Sequence, residues 1–540
     1  MNRVAFIASI AIALGFFFLP IVELKPNRLA AGVPFSLLQF QNDFRYLVLF
    51  VLSLVPAGLA YIEDRSRRGS LLLLIGYVLL TLVLLLPTIA GNDLLANAAN
   101  YFDETIRLRN PRLLPTSALT VGFIGSLMVL YAAFEDLRAS RWSFNVRLLL
   151  GSIGFLILVG LFASHAMDTY SVMVEFQANG ALLGQRIIEH VVMVAVALLV
   201  GLIAGVALGL WATRDQNASP FILYSVSIIQ TIPSLALFGL LLVPLARLGD
   251  LPLSTLLTFF LITGLLIVFT YAIFRVTGLP LLIRRGAMLV FILSASIALT
   301  LFTVVLVSFG FRVILQVAKE GNAENLQQLL IAVLIAPILF VFSRQPLRKM
   351  FRRLLAIGAL IASLIAIVIS LVMVVQAAQS IFARVPASQS FSVRDLGISG
   401  IGTAPALVAL ALYSLLPIVR NTFAGLNNVD RAVIDAGRGM GMTARQIFFR
   451  IELPLALPVI MAGVRNAGVA LVGIAVIATL IGAGGLGDFV VQGIVTTSVD
   501  MVLLGSIPAI ALSFLVDLGL RMVEVWFTSP GLRTAQSSAK

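Results

Sequence analysis

The sequence has no cysteine, which excludes disulfides, thiolate nucleophiles and every zinc site built on sulfur. Its only histidines are His165 and His190, in no H-E-x-x-H or other paired ligand spacing, so no metal centre is expected. Charge is scarce too. Asp, Glu, Lys and Arg make up 11% of the 540 residues, 60% are hydrophobic, and the mean hydropathy is +1.07. Soluble chains carry roughly a quarter charged residues, so this composition defines an integral membrane protein with no room for a large soluble catalytic domain. None of the four lysines, Lys25, Lys319, Lys349 and Lys540, follows a glycine. A Walker A loop is therefore absent, and ATP must be hydrolysed elsewhere if it drives this protein.

Apolar runs of ~17–25 residues bounded by charge or by Pro and Gly mark membrane spans. They are expected near 4–22, 45–62, 69–89, 116–134, 147–165, 188–212, 220–245, 251–274, 286–308, 329–343, 354–378, 404–420, 456–480 and 501–526, about fourteen in all, and the fold is read as all-α and polytopic. The first run lies behind Arg3 like a signal peptide, but no small-x-small cleavage site closes it, so it is kept as a span.

With the N-terminus in the cytoplasm, the inner segments hold 24 Lys and Arg against 12 in the outer ones, and Arg465 falls inside a span. This positive-inside bias accounts for the net charge of +13 without a polyanionic partner, and it places both termini in the cytoplasm. No basic stretch is interleaved with stacking aromatics, so nucleic acid is not an expected partner. Trp142, Trp211 and Trp526 fall at inner span ends, as interfacial anchors do.

Only one inner connection is long, residues 421–454. Asp430 is placed to cap a helix from Arg431 to about Arg438, which Gly437, Gly439 and Gly441 end. Thr443-Ala444-Arg445-Gln446 reads as a capping box that starts a second helix, and Pro454 marks entry to the next span. Ile447, Phe448 and Ile451 share one side of that helix. The stripe requires burial, against the loop's own helix ends, in the headgroup layer or against a partner.

The run Asp435-Ala436-Gly437, three residues, Gly441, nine residues, then Ile451-Glu452-Leu453-Pro454 resembles the signature loop of permease subunits of binding-protein-dependent ABC importers. The usual form there is Glu-Ala-Ala, three residues, Gly, nine residues, Ile, any residue, Leu-Pro. Asp435 and Gly437 depart from it with the spacing intact, and Gly437 should fray the first helix by ~1 kcal/mol relative to Ala.

Four further segments, 229–237, 416–422, 453–463 and 480–487, are similar to permeases for osmoprotectants such as glycine betaine, choline, carnitine and related quaternary amines. The resemblance covers roughly 180–247 and 404–529. It implies a type I ABC-importer permease core in two parts, 171–247 and 401–529. A five-span extension at 1–170 would precede the core, a four-span block at 248–400 would interrupt it, and a cytoplasmic tail at 530–540 would end the chain.

The implied function is ATP-driven import of a compatible solute by a permease in the bacterial inner membrane. Its implied partners are cytoplasmic ATPase subunits that use ATP and Mg, a second permease chain, identical or different, and an extracytoplasmic solute-binding protein. Asp435, Ala436, Gly437, Gly441, Ile451, Leu453 and Pro454 would form the coupling loop, which docks on the ATPase, and no cofactor would be bound by this chain. The alternatives are an importer of another small polar solute, such as an amino acid, and a secondary transporter. The latter needs mid-membrane carboxylates for coupling ions, and no Asp or Glu lies at the centre of any expected span. An embedded enzyme needs convergent titratable groups, and none is seen.

Pro233 and Pro417 are expected to interrupt their spans, leaving backbone carbonyls that line a path or merely kink the helix. The candidate path residues are Gln230, Thr231, Pro233, Ser234, Pro417 and Asn421. Gly482, Gly484, Gly485 and Gly487 formally match G-x-G-x-x-G, but they follow a membrane helix instead of a strand, so no nucleotide site is expected. The turn is read either as close helix packing or as a flexible outer gate. Arg465 should find an interhelical partner, Asp517 and Arg521 should pair across one helical turn, and Glu189 and His190 should cap the outer mouth of their helix.

Overall fold

The computed structural model describes residues 1–27, 31–36, 39, 44–102, 111–140, 142–168, 170–275, 281–320, 373, 376, 379, 383 and 392–527. The expected spans 329–343 and 354–378 and the tail 530–540 lie outside the described residues, apart from positions 373 and 376, as do the basic residues from Arg344 to Arg353. The remaining twelve expected spans all fall on helices. Among the described residues, eight helices are long and apolar enough to cross a membrane, or nine if one bent pair counts as a single span. The protein is thus a mostly helical, multi-pass membrane protein.

The chain divides into two compact units, Met1–Gly180 with Gln492–Leu504, and Ala181–Val491 with Gly505–Lys540. The first unit holds α1 (Arg3–Phe18), α2 (Phe44–Leu59), α3 (Arg65–Ala96), α4 (Ser117–Ala139) and α5 (Phe144–Ala163). It departs from the all-α expectation by a three-stranded antiparallel sheet in the order β2-β1-β3, from Val33–Ser36, Pro20–Lys25 and Arg112–Pro115. The expected span 4–22 therefore stops at Phe18. Pro20 cannot donate the next helical hydrogen bond, and Ile21, Val22 and Leu24 are buried in the sheet instead.

Ile12, Phe16, Leu72, Leu79, Leu113 and Leu137 are all fully buried in the core of this unit. A buried ion pair fastens α3 to α4. Arg68 Nε and Nη2 donate to the two oxygens of Asp136 at 2.7 Å each, Arg68 Nη1 donates to the Ile62 carbonyl, and Asn2 Nδ2 donates to Asp136 at 2.9 Å. Each charge is paired and hydrogen-bonded, the condition under which buried charge is tolerated. Trp142, expected as an interfacial anchor, also donates from Nε1 to Ser66 Oγ at 3.1 Å.

α6 (Ser171–Arg214) has 44 residues and runs from the first unit into the second. At 1.5 Å per residue it is about 66 Å long, roughly twice the ~30 Å of a bilayer's hydrocarbon core. The second unit continues with α7 (Ala218–Thr231), α8 (Ser234–Gly249), α9 (Leu253–Arg275), α10 (Leu281–Glu320), α11 (Thr403–Asn427), α12 (Arg431–Gly439), α13 (Ala444–Ile447), α14 (Leu453–Ala478), and most of α15 (Gly487–Val495) and α16 (Val499–Phe527), whose facing ends at 492–504 belong to the first unit.

Its centre is α11, which packs on α6, α7, α8 and α14. Gly201, Gly205 and Gly209 of α6 face Ser414, Ile418 and Thr422 of α11, in step every four residues. A Cβ on Gly205 would lie 2.7 Å from Ile418 Cγ2, and one on Gly209 would lie 2.5 Å from Thr422 Cβ. Small residues at this spacing let membrane helices approach at backbone distance. Phe311 of α10 is buried in the same apolar cluster as Met193, Leu410 and Val472.

Candidate coupling loop and transport path

The connection between α11 and α14 folds as a capped helical hairpin. Asp430 accepts from the Ala432 N–H at 2.9 Å to start α12, and Asp435 pairs with Arg438 at 3.0 Å on its outer side. Gly441 has φ +77°, a conformation that costs an L-residue roughly 1–2 kcal/mol, so glycine suits the turn. Thr443 then accepts from the Gln446 N–H, and Gln446 Oε1 accepts from the Thr443 N–H at 2.8 Å, so both halves of the expected capping box form.

Pro454 does not mark a new helix start. α13 passes through a π-helical turn, Phe448–Glu452, directly into α14, forming one apolar helical stretch over Ala444–Ile481. Pro454 cannot donate back to the preceding turn, and the wider π-helical turn directly before it lets the helix carry through.

The apolar stripe finds its cover inside the chain. Ile447 is 5% exposed, and a Cβ on Gly437 would lie 2.8 Å from Ile451 Cδ1 and 3.6 Å from Ile447 Cγ1. Gly437, which departs from the usual alanine, thus lets the two short helices close on each other. The faces left open are Asp435, Ala436, Arg438 and Met440 on one side and Arg445 and Phe449 on the other, with Met440 73% and Phe449 55% exposed. Arg445 lies over the Phe449 ring at 5.9 Å.

Glu452, the variable position of the loop motif, accepts from Arg214 at the end of α6 at 2.8 Å, and the same guanidinium sits 5.5 Å from the Phe448 ring centroid. The sequence offers no spacing rule for this contact, since the partners are 238 residues apart. Leu453 and Pro454 are half-buried at the start of α14.

Pro233 breaks its span as expected: α7 and α8 meet at 101°. The Ile232 carbonyl at the break accepts from the Tyr413 hydroxyl of α11, a contact that sequence reasoning missed. Gln230, Thr231 and Pro233 are exposed there, and Ser234 is half-buried.

Pro417, by contrast, does not interrupt α11, which is helical from Thr403 to Asn427. Asn421 Nδ2 donates to the Pro417 carbonyl at 2.7 Å, and helix α14 lies against both residues at Gly463. Neighbouring helices and side chains hold a membrane helix together where proline removes a bond. Asn421 and Pro417 thus share one turn with each other, while Gln230 to Ser234 belong to the break.

Gly482, Gly484 and Gly485 have φ of +77°, +80° and +85°, so the turn between α14 and α15 is one that side chains disfavour. The Gly402 N–H donates to Ile481 O at 2.7 Å, and Thr479 Oγ1 donates to Gly484 O at 2.8 Å. Glu189 and His190 do not cap their helix, because α6 continues for several turns on either side of them; both are buried against this turn instead.

Arg465 has its interhelical partner, but the partner is Asp517 at 2.9 Å, with Glu524 at 3.8 Å. The expected pairing of Asp517 with Arg521 is not formed.

The described residues thus form a multi-pass helical protein with a capped hairpin between two long helices and a broken span beside them. Residues 328–528 match the family model of binding-protein-dependent transport system inner membrane components. Residues 2–173 match the N-terminal domain of the ABC transporter permease YehY.

Among curated relatives, the carnitine transport permease proteins OpuCB and OpuCD of Listeria monocytogenes are 43% and 47% identical over 141 and 146 residues. These alignments cover 26% and 27% of this chain and 65% of each relative. The glycine betaine/carnitine/choline permease protein OpuCB of Bacillus subtilis is 40% identical over 134 residues, 25% of this chain and 62% of that one. The chain therefore spans just under two thirds of the length of the relatives it matches. A solved inward-facing methionine ABC transporter, MetNI, covers 39% of this chain at 21% identity and a TM-score of 0.23, too low for an argument about overall shape.

Proposed function

We propose that this chain is the permease subunit of an ATP-driven importer that carries a compatible solute, glycine betaine, choline or a related quaternary amine, into the cell. The observation that carries this reading is the hairpin at 430–454. It is capped at both starts, closed on its own apolar stripe and tied to α6 by Arg214–Glu452, yet it presents Asp435, Ala436, Met440 and Phe449 outward. Exposed apolar side chains on a rigid, charge-rimmed element fit a protein partner, and a cytoplasmic ATPase subunit is that partner. Gly441 sets the angle of the hairpin, while Gly437 and Ile451 set its closure.

The names of the relatives support the solute class, and the positive-inside count supports termini in the cytoplasm. In this reading the core spans 171–247 and 401–529 with a type I arrangement, the extension 1–170 precedes it in the chain and the block 248–400 interrupts it, and a second permease chain completes the pathway. The path runs along the break at Gln230, Thr231, Pro233 and Ser234 and past Pro417 and Asn421. The turn at Gly482, Gly484, Gly485 and Gly487 gates its outer end. ATP and Mg are used by the partner subunit, and this chain holds no cofactor.

A quaternary ammonium is best held by an aromatic cage, with Trp the strongest contributor. All three tryptophans lie away from the expected outer entrance, so selection belongs to a separate extracytoplasmic binding protein and the permease path is weak. Titrating betaine, choline and carnitine into the purified chain should give dissociation constants well above micromolar. Micromolar or tighter binding, about −8 kcal/mol, would show a selective site in this chain and contradict the division of labour.

A further inference from the structure

Arg186, near the start of the second unit's part of α6, lies between two carboxylates. Its Nη1 donates to Glu189 Oε2 at 2.6 Å and its Nη2 to Asp488 Oδ2 at 2.6 Å, so one guanidinium joins α6 to the first turn of α15. Glu189 is 5% exposed, accepts from Gln185 Nε2 at 2.8 Å, and accepts from the Gly485 N–H at 3.3 Å. The later part of the glycine turn is thus fastened to one helical turn of α6, through Gly485 and through Asp488 just beyond it. The turn is also held locally by Thr479 Oγ1 on the Gly484 carbonyl and by the Gly482 and Ala483 N–H groups on Thr479 O and Ala478 O, and the Gly402 N–H reaches Ile481 O beside it.

Two buried nitrogens stay unpaired in this arrangement. His190 is fully buried, with Nε2 on the Val472 carbonyl at 3.1 Å, while Nδ1 lies under Gly485 without a hydrogen-bond partner. Arg186 Nε is likewise buried and unpartnered. A buried polar atom left unpaired penalises the state that buries it. Lifting the turn breaks charge-assisted bonds but lets water reach both nitrogens, so the closed and lifted states differ by less than the ion pairs alone would suggest. A two-state element needs this kind of balance to respond to a modest input.

We propose that Arg186, Glu189 and Asp488 form an ionic latch that holds the glycine turn shut, and that its release opens the outer end of the solute path. Arg186 is the positioning residue. The second half of the proposal rests on the permease reading above, whereas the latch itself does not. A latch with one arm half-exposed at Asp488 is weakened by salt, since such pairs are screened.

The absence of cysteine makes the test clean. Ala483, a residue of the turn itself that is only 4% exposed, is replaced as Ala483→Cys in the full-length chain, which is purified in lipid nanodiscs and labelled with a membrane-impermeant maleimide. Adding Arg186→Gln should raise the labelling rate about tenfold or more, the change expected on losing a charge-assisted hydrogen bond from a two-state equilibrium. Asp488→Asn should raise it less, Arg186→Lys should restore part of the protection, and high salt should speed labelling of the parent.

Gly484→Ala offers an independent route, because its Cβ would lie 2.8 Å from Glu189 Oε2 and 2.9 Å from Arg186 Nη1. It should loosen the latch with every charge in place. Unchanged labelling in folded Arg186→Gln and Gly484→Ala protein would overturn the latch. Faster labelling with unaltered kinetics of betaine uptake would overturn its placement on the path. Absence of uptake in the parent would count against the permease reading alone, since the labelling does not depend on transport.

Discussion

Replacing Gly441 with valine is expected to abolish solute uptake while leaving the chain in the membrane at its normal level. The residue sits at φ +77° with nothing within 4 Å of the position a Cβ would take, so the penalty is conformational and not steric. A side chain in the left-handed region costs roughly 1–2 kcal/mol, and β-branching aggravates it. That is too little to unfold a membrane domain but enough to swing the backbone into another well. α12 would then leave the angle at which Gly437 meets Ile451, and the outward face carrying Met440 would shift. Gly441→Asn, whose side chain tolerates this region, should keep much of the activity. Normal uptake by Gly441→Val together with solute-stimulated ATP hydrolysis would remove the coupling role from the loop.

The other large effect is expected at the seam between α6 and α11. Gly205→Leu would place a branched side chain where a single Cβ already meets Ile418 at 2.7 Å. Overpacking of a well-packed core costs about 1–3 kcal/mol and sometimes more, and Ile418 is fully buried with no room to retreat. The variant should yield little folded protein, with a lowered melting temperature for what survives. Gly264→Leu on α9 makes the same change where a Cβ would meet nothing within 4 Å, and it should leave stability near the parent value. Equal stability for the two variants would mean that the glycine seam does not set helix approach.

The positions of the helices were legible because the bilayer demands long apolar runs, and that signal survives every detail of packing. The caps at Asp430 and Thr443 were legible for a similar reason, since they are local bonds within three residues. What escaped was non-local. The strand at Pro20–Lys25 opens on Pro-Ile-Val, which extends the apolar run of the helix before it, and only its partners at 33–36 and 112–115 make it a strand. Asp517 was assigned to its helix neighbour Arg521 because nothing in the spacing points to Arg465 on another helix.

Prolines 233 and 417 look alike in sequence, yet one lies at a 101° break and the other inside an unbroken helix. The difference lies in what surrounds them: Tyr413 takes the free carbonyl at the break, whereas Asn421 and the Gly463 face brace Pro417. The glycine seam could have been seen, since Gly201, Gly205 and Gly209 recur every four residues on an apolar helix. The latch around Arg186 could not, because Asp488 lies about three hundred residues away in the chain.

The measurement that tests the central claim most directly is uptake of labelled glycine betaine into proteoliposomes holding the full chain, its ATPase subunit and its solute-binding protein. Uptake should require all three proteins and ATP on the ATPase side, persist when ion gradients are collapsed, and vanish with Gly441→Val. Uptake by this chain alone, driven by a sodium or proton gradient and indifferent to ATP, would contradict the account.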